Sequence, residues 1–291
     1  MKFSTIGLFV KPTEELPELI EQAIKVLQGA GATVLLDRRC AKTLGERAIM
    51  RGYTRDELGK LCDLAVVLGG DGTMLSVARA LAKYSTPIIG VNAGHLGFIT
   101  DIVAADMDRQ LPAVLRGEYQ LDARRMLFAR VMRGDEELYS GYAVNDIGIS
   151  HGRVGGMVNF SVSVDGHPMA TQSADGVICA STTGSTAYAL ASGGTLLFPS
   201  VDGITLVPVA PHTLSNRPIV LPGTSSVDLK LNYSREAVAY FDMQEFVDLK
   251  EGDRIEIRPV DAKFNLLHPQ DFDYFALLRR KLKWNLMPVD D

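Results

Sequence analysis

Leu64–Leu68 (LAVVL) runs directly into Gly69–Thr73 (GGDGT), and this junction decides the fold. Five consecutive apolar residues predict a buried strand. The glycines predict a tight turn whose backbone N–H groups can approach a phosphate. Leu75, Ala78 and Leu81 follow at helical spacing, so the turn opens a helix. A strand, a glycine turn and a helix N-terminus form an anion site, because unpaired N–H groups and the helix dipole both face the turn.

Asp71 is the unusual member of this turn. A carboxylate repels a phosphate, unless it acts on a hydroxyl group or holds a metal ion. The sequence contains no G-x-x-x-x-G-K-[ST], so it has no P-loop, and no G-x-G-x-x-G follows a strand. Taken alone, the pentapeptide also suits an ordinary βα turn with a surface aspartate.

The composition is that of an ordinary globular protein. The chain has 291 residues, 46% of them hydrophobic and 22% charged, which favours about two domains. The net charge of -5 favours neither nucleic acid nor a membrane as a partner. Its 3 cysteines and 5 histidines show no metal-binding spacing, and reduced thiols are expected in a cytoplasmic protein.

Strands and helices alternate over residues 1–120, which predicts an α/β domain with a parallel, doubly wound sheet. Ligands of such sheets gather at the carboxyl ends of the strands, where both Gly69–Thr73 and Asn92–Gly97 fall. Thr54 and Glu57 predict a capping box at the start of a short helix. The predicted strands are Phe3–Val10, Thr33–Leu36, Leu64–Leu68 and Ile88–Val91, and the longer predicted helices are Glu14–Gln28 and Asp106–Leu115.

Residues 121–268 predict a second, mostly antiparallel β domain, interrupted by helix-like composition at Ser185–Gly193. Residues 269–291 form a tail in which Phe272, Phe275, Leu278 and Leu282 have helical spacing. We expect this tail to form a helix that returns to the α/β domain. The predicted β segments are Met126–Met132, Tyr142–Ser150, Met157–Val164, Val177–Ala180, Ile204–Val209, Ser226–Leu231 and Arg254–Arg258.

Four further polar clusters follow the glycine turn along the chain. They are Asn92–Phe98, the pair Asn145-Asp146, the pair Asp175-Gly176, and the hydroxyl-rich Thr183–Tyr188. Each alone has a structural explanation, such as a turn, a strand end or a well-capped helix. Their order behind a glycine-flanked acid is far more specific than any one of them.

In this order the clusters resemble the NAD kinases of bacteria. That family carries GGDGT, N-x-G-x-L-G-F, an Asn-Asp or Asn-Glu pair, an S-x-Asp-Gly lead and a T-P-T-G-S-T-A-Y-type motif. The resemblance extends from about Ile6 to Trp284. It implies a Rossmann-like first domain, related to diacylglycerol and phosphofructokinase-type kinases, followed by a β-rich NAD-binding domain.

The resemblance also implies an activity: transfer of the γ-phosphate of ATP, or of polyphosphate in some members, to the 2′-hydroxyl of the adenosine ribose of NAD. Asp71 matches the general base of that reaction. Mg²⁺ is expected to bind mainly through phosphate oxygens and water. The substrate-binding residues implied by the resemblance are Gly72, Leu75, His95, Phe98, Asn145, Asp146, Gly156, Ser173, Asp175, Thr186, Ala187, Tyr188, Ala189, Leu190, Ala191 and Gln244.

Two positions depart from the pattern of some relatives. Ser173 and Gly156 stand where those relatives carry arginine and histidine. Family members are homotetramers or homodimers, which implies the same here.

The alternatives to an NAD kinase are a lipid or sphingoid-base kinase that shares GGDGT, and a non-catalytic nucleotide sensor. No basic amphipathic helix indicates a membrane-bound acceptor, and a sensor would gain little from an acid beside phosphates.

Overall fold

The computed structural model describes residues 2–11, 16–47, 50–92, 94, 97–152, 155–213 and 215–284. The chain divides into two compact units. Unit 1 is Met1–Asp122 with Asn265–Asp291, and unit 2 is Ala123–Phe264. Both boundaries fall inside long strands rather than in loops.

The described helices and strands follow one another in a regular order. The helices are α1 (Pro17–Gly29), α2 (Arg38–Leu44), α3 (Arg55–Leu61), α4 (Asp71–Leu81), α5 (Met107–Arg116), α6 (Tyr188–Ala191) and α7 (Tyr274–Leu282). The strands of unit 1 are β1 (Thr5–Val10), β2 (Thr33–Asp37), β3 (Gly52–Tyr53), β4 (Leu64–Leu68), β5 (Ile88–Asn92) and β6 (Ile102–Val103). The remaining strands are β7 (Tyr119–Arg133), β8 (Glu136–Ala143), β9 (Asp146–His151), β10 (Val158–Val164), β11 (His167–Ala174), β12 (Gly176–Ser181), β13 (Gly203–Val209), β14 (Ile219–Pro222), β15 (Val227–Tyr233), β16 (Ala237–Phe241), β17 (Glu245–Leu249) and β18 (Arg254–Pro269). None of the described helices is long and apolar enough to cross a membrane.

Unit 1 contains the expected parallel sheet, in the order β3-β2-β1-β4-β5. β4 lies inside this sheet and all five of its residues are buried, which explains its continuous apolar run. On the far side of β5, Val91 pairs with Ile102 and Ile88 pairs with Leu266 near the end of β18. The turn after β4 and the loop after β5 therefore begin at neighbouring strand ends.

Local signals set several helix ends as predicted. Thr54 and Glu57 form the capping box, with Glu57 accepting from Thr54 N at 2.7 Å. The tail helix α7 is confirmed, but its predicted apolar stripe is wrong in part. Leu277 and Leu278 are buried, whereas Phe275 is 56% exposed. The difference arises because α7 begins at Tyr274, after the Asp273 N-cap, so Phe272 is not part of the helix.

Unit 2 is the expected mostly antiparallel β domain, and it contains two sheets. One has the order β11-β10-β15-β18-β7-β8 and the other β14-β13-β12-β9-β16-β17. Apolar residues from both sheets form one core, which includes Phe160, Ile255 and Phe241. Ile178 and Tyr240 lie on the other face of the second sheet, where Ala189 of α6 packs on them.

The predicted strand Tyr142–Ser150 is in fact two strands. β8 ends at Ala143 and β9 begins at Asp146, so the chain bends at Val144 and Asn145. This bend is held by the side chain of Asp242, in the turn between β16 and β17.

A buried polar cluster in unit 1 surrounds His268, at the end of β18. The side chain of His268 is 1% exposed. Its Nδ1 contacts Asp101 Oδ2, its Nε2 lies 3.4 Å from Asp122 Oδ2, and its ring stacks on Phe272 at 3.8 Å. The imidazole is therefore held by a carboxylate at each ring nitrogen and fixes Asp101, which directly follows the loop after β5.

We expect His268→Leu to lower the free energy of unfolding by about 1–3 kcal/mol, because Asp101 loses a hydrogen-bond partner while buried. Urea denaturation of the parent and the variant measures this difference. Arg116→Ala, which breaks the exposed ion pair with Glu118, is the control and should change stability much less. Equal effects of the two substitutions would contradict a stabilising role for the buried cluster.

Candidate functional site

Asp71 is the first residue of α4 and follows the Gly70 N-cap. Its side chain turns onto the loop after β5. Oδ2 accepts a hydrogen bond from Phe98 N at 2.8 Å, and Oδ1 accepts from Ile99 N at 3.3 Å and Thr100 Oγ1 at 3.1 Å. Three donors therefore converge on this half-buried carboxyl group and hold it against the loop.

Gly97 makes this approach possible. A Cβ atom at Gly97 would lie 1.7 Å from Asp71 Oδ1 and 2.4 Å from Thr100 Oγ1. Any side chain here would displace the carboxylate. The second glycine of the N-x-G-x-L-G-F segment thus lets the Asp71 side chain approach the loop backbone closely.

Among the donors of the described residues, three reach the Asp71 carboxylate, which leaves one acceptor position. An ionised carboxylate offers about four lone-pair positions, two on each oxygen. Two donors occupy Oδ1 and one occupies Oδ2. Oδ2 can therefore still accept a hydrogen bond from a substrate hydroxyl group.

The other predicted residues of unit 1 lie around this carboxylate to different extents. Gly72 is exposed in the first turn of α4, while Leu75 is 6% exposed and packs inward. Phe98 is half-buried, donates its N–H to Asp71, and has Lys281 Nζ 5.5 Å from its ring centroid. His95 lies outside the described residues.

In unit 2 the bend at Asn145-Asp146 is held by Asp242. Asp242 Oδ1 accepts from Asn145 N at 2.7 Å and Asp146 N at 3.1 Å, and Oδ2 accepts from Val144 N at 3.0 Å. Asp242 N in turn donates to Asp146 O at 2.8 Å. Asp242 and Met243 both have φ of 53°, so the β16–β17 turn is left-handed. This turn also carries Gln244, whose N–H donates to Phe241 O at 3.0 Å.

Asp146 is a buried acid with an unusual electrostatic environment. It is 2% exposed, and no described residue hydrogen-bonds its Oδ1. Burial, and secondly the negative charge of Asp242, raise the pKa of Asp146 to about 7. At neutral pH the group is thus present both as a carboxylic acid and as a carboxylate, so it can donate or accept a hydrogen bond.

Tyr188 and Asp175 belong to the same neighbourhood. Burial raises the pKa of Tyr188, and the charges of Asp146 and Asp175 raise it further. The Tyr188 ring meets the buried Tyr240 edge to face, with centroids 6.4 Å apart. No described residue hydrogen-bonds the Tyr240 hydroxyl, and its pKa is raised by burial and then by Asp146. The structure therefore brings Asp146, Asp175 and Tyr188 together, with Asn145 next to Asp146 in the chain. Gln244 lies in the turn that carries Asp242.

The hydroxyl-rich segment mostly satisfies its own backbone. Ser185 Oγ donates to Thr182 O at 2.8 Å and accepts from Leu197 N, while Thr186 Oγ1 donates to Thr183 O at 3.1 Å. Ala189 is completely buried, whereas Ala187 and Leu190 are partly accessible and Ala191 is exposed. Because these hydroxyl groups are already bonded to the protein backbone, the segment is better suited to pack apolar surface against a ligand than to donate hydrogen bonds to it.

Ser173 and Gly156 differ in their relation to this cluster. Ser173 lies two residues before Asp175, accepts from Asn159 Nδ2 at 2.8 Å through Oγ, and accepts from His212 N through its carbonyl. Gly156 is exposed and has a φ of 108°.

Asp242 and Thr100 are the residues that sequence reasoning missed. Both act by hydrogen bonds to residues distant in sequence, 96 to 98 positions for Asp242 and 29 for Thr100. Asp242 had a weak signal, because an Asp between two apolar alternating runs predicts a turn with a side-chain cap.

The donor set at these residues fits a metal ion bound through a substrate. Among the described residues, no three His, Cys, Asp or Glu side chains converge on one point. The Asp71 carboxylate is the acid at the glycine turn, and it retains only one acceptor position. Such a site suits Mg²⁺ carried by the phosphates of a nucleotide, which takes few protein ligands.

Comparison with known proteins agrees with these features. Residues 6–119 match the protein family described as ATP-NAD kinase N-terminal domain. Residues 144–268 match the family described as ATP-NAD kinase C-terminal domain. An NAD kinase of Paracidovorax citrulli is 49% identical over 289 residues, covering 98% of this chain and 97% of that protein. An NAD kinase of Burkholderia thailandensis is 43% identical over 294 residues, covering 100% and 97%.

Two solved structures share the fold. Yeast NADH kinase complexed with NADH has a TM-score of 0.91 at 24% identity, covering 99% of this chain and 89% of that chain. An NAD kinase from Archaeoglobus fulgidus in complex with ATP has a TM-score of 0.73 at 24% identity, covering 96% and 98%.

The matches over both parts of the chain thus define a kinase. The chain belongs to the ATP-NAD kinase family, since both family domains and full-length relatives match it. This confirms the resemblance and excludes the alternative of a lipid kinase, because GGDGT is only one part of what matches.

The raised pKa of Asp146 predicts a pH-dependent stability. The folded protein holds the proton of Asp146 up to about pH 7, whereas the unfolded chain loses it near pH 4. The stability due to the neutral group is therefore lost as the pH rises from about 4 to about 7. We expect Asp146→Asn to become progressively more stable relative to the parent between about pH 5 and about pH 8. Urea denaturation at several pH values measures this.

Asp135→Asn, in the exposed turn between β7 and β8, is the control for removing one negative charge. A stability difference between Asp146→Asn and the parent that stays constant over this pH range would contradict the buried, protonated state.

Proposed function

We propose that this protein transfers the γ-phosphoryl group of ATP to the 2′-hydroxyl of the adenosine ribose of NAD, giving NADP and ADP, with Asp71 as the general base. Family membership supports the reaction. One observation supports the role of Asp71: its carboxylate is fixed by three donors and retains one acceptor position on Oδ2.

The chemistry assigned to Asp71 follows from that position. Oδ2 accepts the hydrogen bond of the 2′-hydroxyl and takes its proton as the oxygen attacks the γ-phosphorus. The bond between the γ-phosphorus and the bridging oxygen then breaks, and ADP leaves with its electrons. Phosphoryl transfer depends mainly on positioning and charge neutralisation, so a fixed carboxylate suits it.

Phosphate binding is assigned to the glycine turn. α4 begins at Asp71, directly after the Gly70 N-cap. The backbone N–H groups of its first turn and the positive end of its dipole therefore lie at the glycine turn. Mg²⁺, bound through the phosphates and water, would neutralise the charge that develops on the donor.

Recognition of the acceptor nucleotide is assigned to the cluster in unit 2. Asn145 offers amide donors and acceptors, and Asp146 can donate or accept near neutral pH. Tyr188 presents an aromatic ring, and Thr186–Ala191 supplies apolar surface beside it. Asp175, Ser173, Gly156 and Gln244 complete the set, and Asp175 is assigned to the nicotinamide end.

Asp71→Asn tests the proposed base. The variant keeps the size of the side chain but cannot take the proton, so we expect NADP formation from NAD, ATP and Mg²⁺ to fall at least about 10²-fold. The NADP formed is measured with a coupled dehydrogenase that depends on NADP. Asp106→Asn, which removes an exposed carboxylate before α5, is the matched control and should retain parental activity. Near-parental activity of Asp71→Asn would remove Asp71 from the base role.

Assembly and location belong to the same proposal. We infer a homotetramer or homodimer that acts in the cytoplasm, where its free cysteines stay reduced. The edge strand β14 and the segment before β13 expose Ile219, Val220, Phe198 and Val201, which would be covered by a second copy.

Light scattering during size-exclusion chromatography measures the assembly directly. We expect a mass two or four times that of the single chain. A monomer over the accessible concentration range would contradict the proposed assembly without affecting the proposed reaction.

A further inference from the structure

The hydroxyl group of Thr100 has every hydrogen-bonding position filled. Thr100 is 0% exposed. Its Oγ1 accepts from Gly97 N and from Asn92 Nδ2, each at 3.0 Å, and donates to Asp71 Oδ1 at 3.1 Å. A hydroxyl group has one hydrogen and two lone pairs. Because two N–H donors take the lone pairs, the hydrogen of Thr100 is directed at Asp71.

The orientation of Asn92 fixes this direction. Asn92 is the last residue of β5, and its Oδ1 accepts from Gly94 N at 2.7 Å. That bond identifies which end of the amide is oxygen, so the nitrogen end faces Thr100. The chain of hydrogen bonds therefore begins at a rigid strand end and ends at Asp71.

The methyl group of Thr100 is held as tightly as its hydroxyl. A Cβ atom at Gly90 would lie 2.9 Å from Thr100 Cγ2 and 3.0 Å from Met74 Sδ, so the methyl group packs closely over β5 and α4. The packing fixes the χ1 rotamer of Thr100, and the two donors fix its hydroxyl hydrogen.

We propose that Thr100 is a positioning residue for the phosphoryl transfer: its hydroxyl group occupies Asp71 Oδ1, and so keeps the free lone pair of Oδ2 directed at the substrate hydroxyl. This inference rests on the proposed role of Asp71 as the base. Thr100 touches no reacting atom and acts through Asp71 alone. Without it, two of the three described donors remain, Phe98 N and Ile99 N, and the carboxylate can rotate about its Cβ–Cγ bond.

Thr100→Ala and Thr100→Ser form a matched pair, since both lack the methyl group and differ only in the hydroxyl. We expect kcat of Thr100→Ala to fall about 10- to 100-fold, because misplacement of a reacting group acts on the chemical step. KM for NAD and for ATP should change by less than about twofold. Thr100→Ser should recover kcat to within about threefold of the parent. A partly unfolded variant would also lose apparent kcat at unchanged KM, so kcat is calculated per folded molecule, with the folded fraction taken from thermal denaturation, and the rescue by Thr100→Ser is read on that scale.

The double variant Asp71→Asn/Thr100→Ala tests whether Thr100 acts through Asp71. We expect no further loss of kcat beyond that of Asp71→Asn, because the carboxylate that Thr100 positions is gone. An additional loss as large as that of Thr100→Ala in the parent would overturn the inference. Equal kcat for Thr100→Ala and Thr100→Ser would also overturn it.

These outcomes are distinguishable from failure of the proposed function. If Asp71→Asn is inactive and Thr100→Ala is fully active, the base role stands and the positioning role falls. If Asp71→Asn is active, the base role itself falls, and the positioning role with it. Thermal denaturation checks that each variant folds. Thr100→Val, which keeps the methyl contacts, replaces Thr100→Ala in the same comparison if the alanine variant does not fold.

Discussion

The contact between the Asp71 carboxylate and the loop after β5 is the interaction on which unit 1 depends for its chemistry. Parallel pairing of β4 with β5 places the two strand ends side by side. The turn after one strand can then meet the loop after the other. A half-buried carboxylate loses part of its hydration, and the N–H and O–H donors of the loop replace it. The same bonds order a loop that would otherwise have unpaired backbone N–H groups.

Unit 2 also contains a carboxylate that accepts hydrogen bonds from a loop, but there the carboxylate serves to hold the backbone. Asp242 accepts from three successive backbone N–H groups and so holds a bend between two strands. Its carboxylate fixes the backbone, but its charge also disfavours ionisation of Asp146 next to it. One acid therefore shapes the backbone while it changes the chemistry of its neighbour. Asp71 differs because it keeps an acceptor position for a ligand.

The sequence predicts those parts of the structure whose causes are local. The buried strand, glycine turn and helix at Leu64–Leu81 follow from apolar runs and backbone freedom within a few residues. The capping box at Thr54 is equally local. The pair Asn145-Asp146 suited a turn or a strand end, but the continuous strand predicted across it was wrong, because a side chain 97 positions away holds the bend. The apolar stripe of the tail was misplaced for a related reason: the Asp273 cap, rather than the periodicity, sets where α7 begins.

The candidate site shows the same division. Asp71 could be found because glycines on both sides make an acid conspicuous, and the family resemblance supplied Asn145, Asp146 and Tyr188. The network that orients Asp71 could not, because Asn92 and Thr100 look like an ordinary strand end and an ordinary loop residue. Their role depends on three-dimensional closure of hydrogen bonds, which no short pattern records.

The absent side chain of Gly97 has a consequence for how this protein tolerates change. A Cβ atom there would intrude on both Asp71 Oδ1 and Thr100 Oγ1, the two atoms that join the turn to the loop. Alanine at this position would therefore disturb the same hydrogen bonds that order the loop and orient the carboxylate. Variation at Gly97 acts on stability and on the geometry of the carboxylate together.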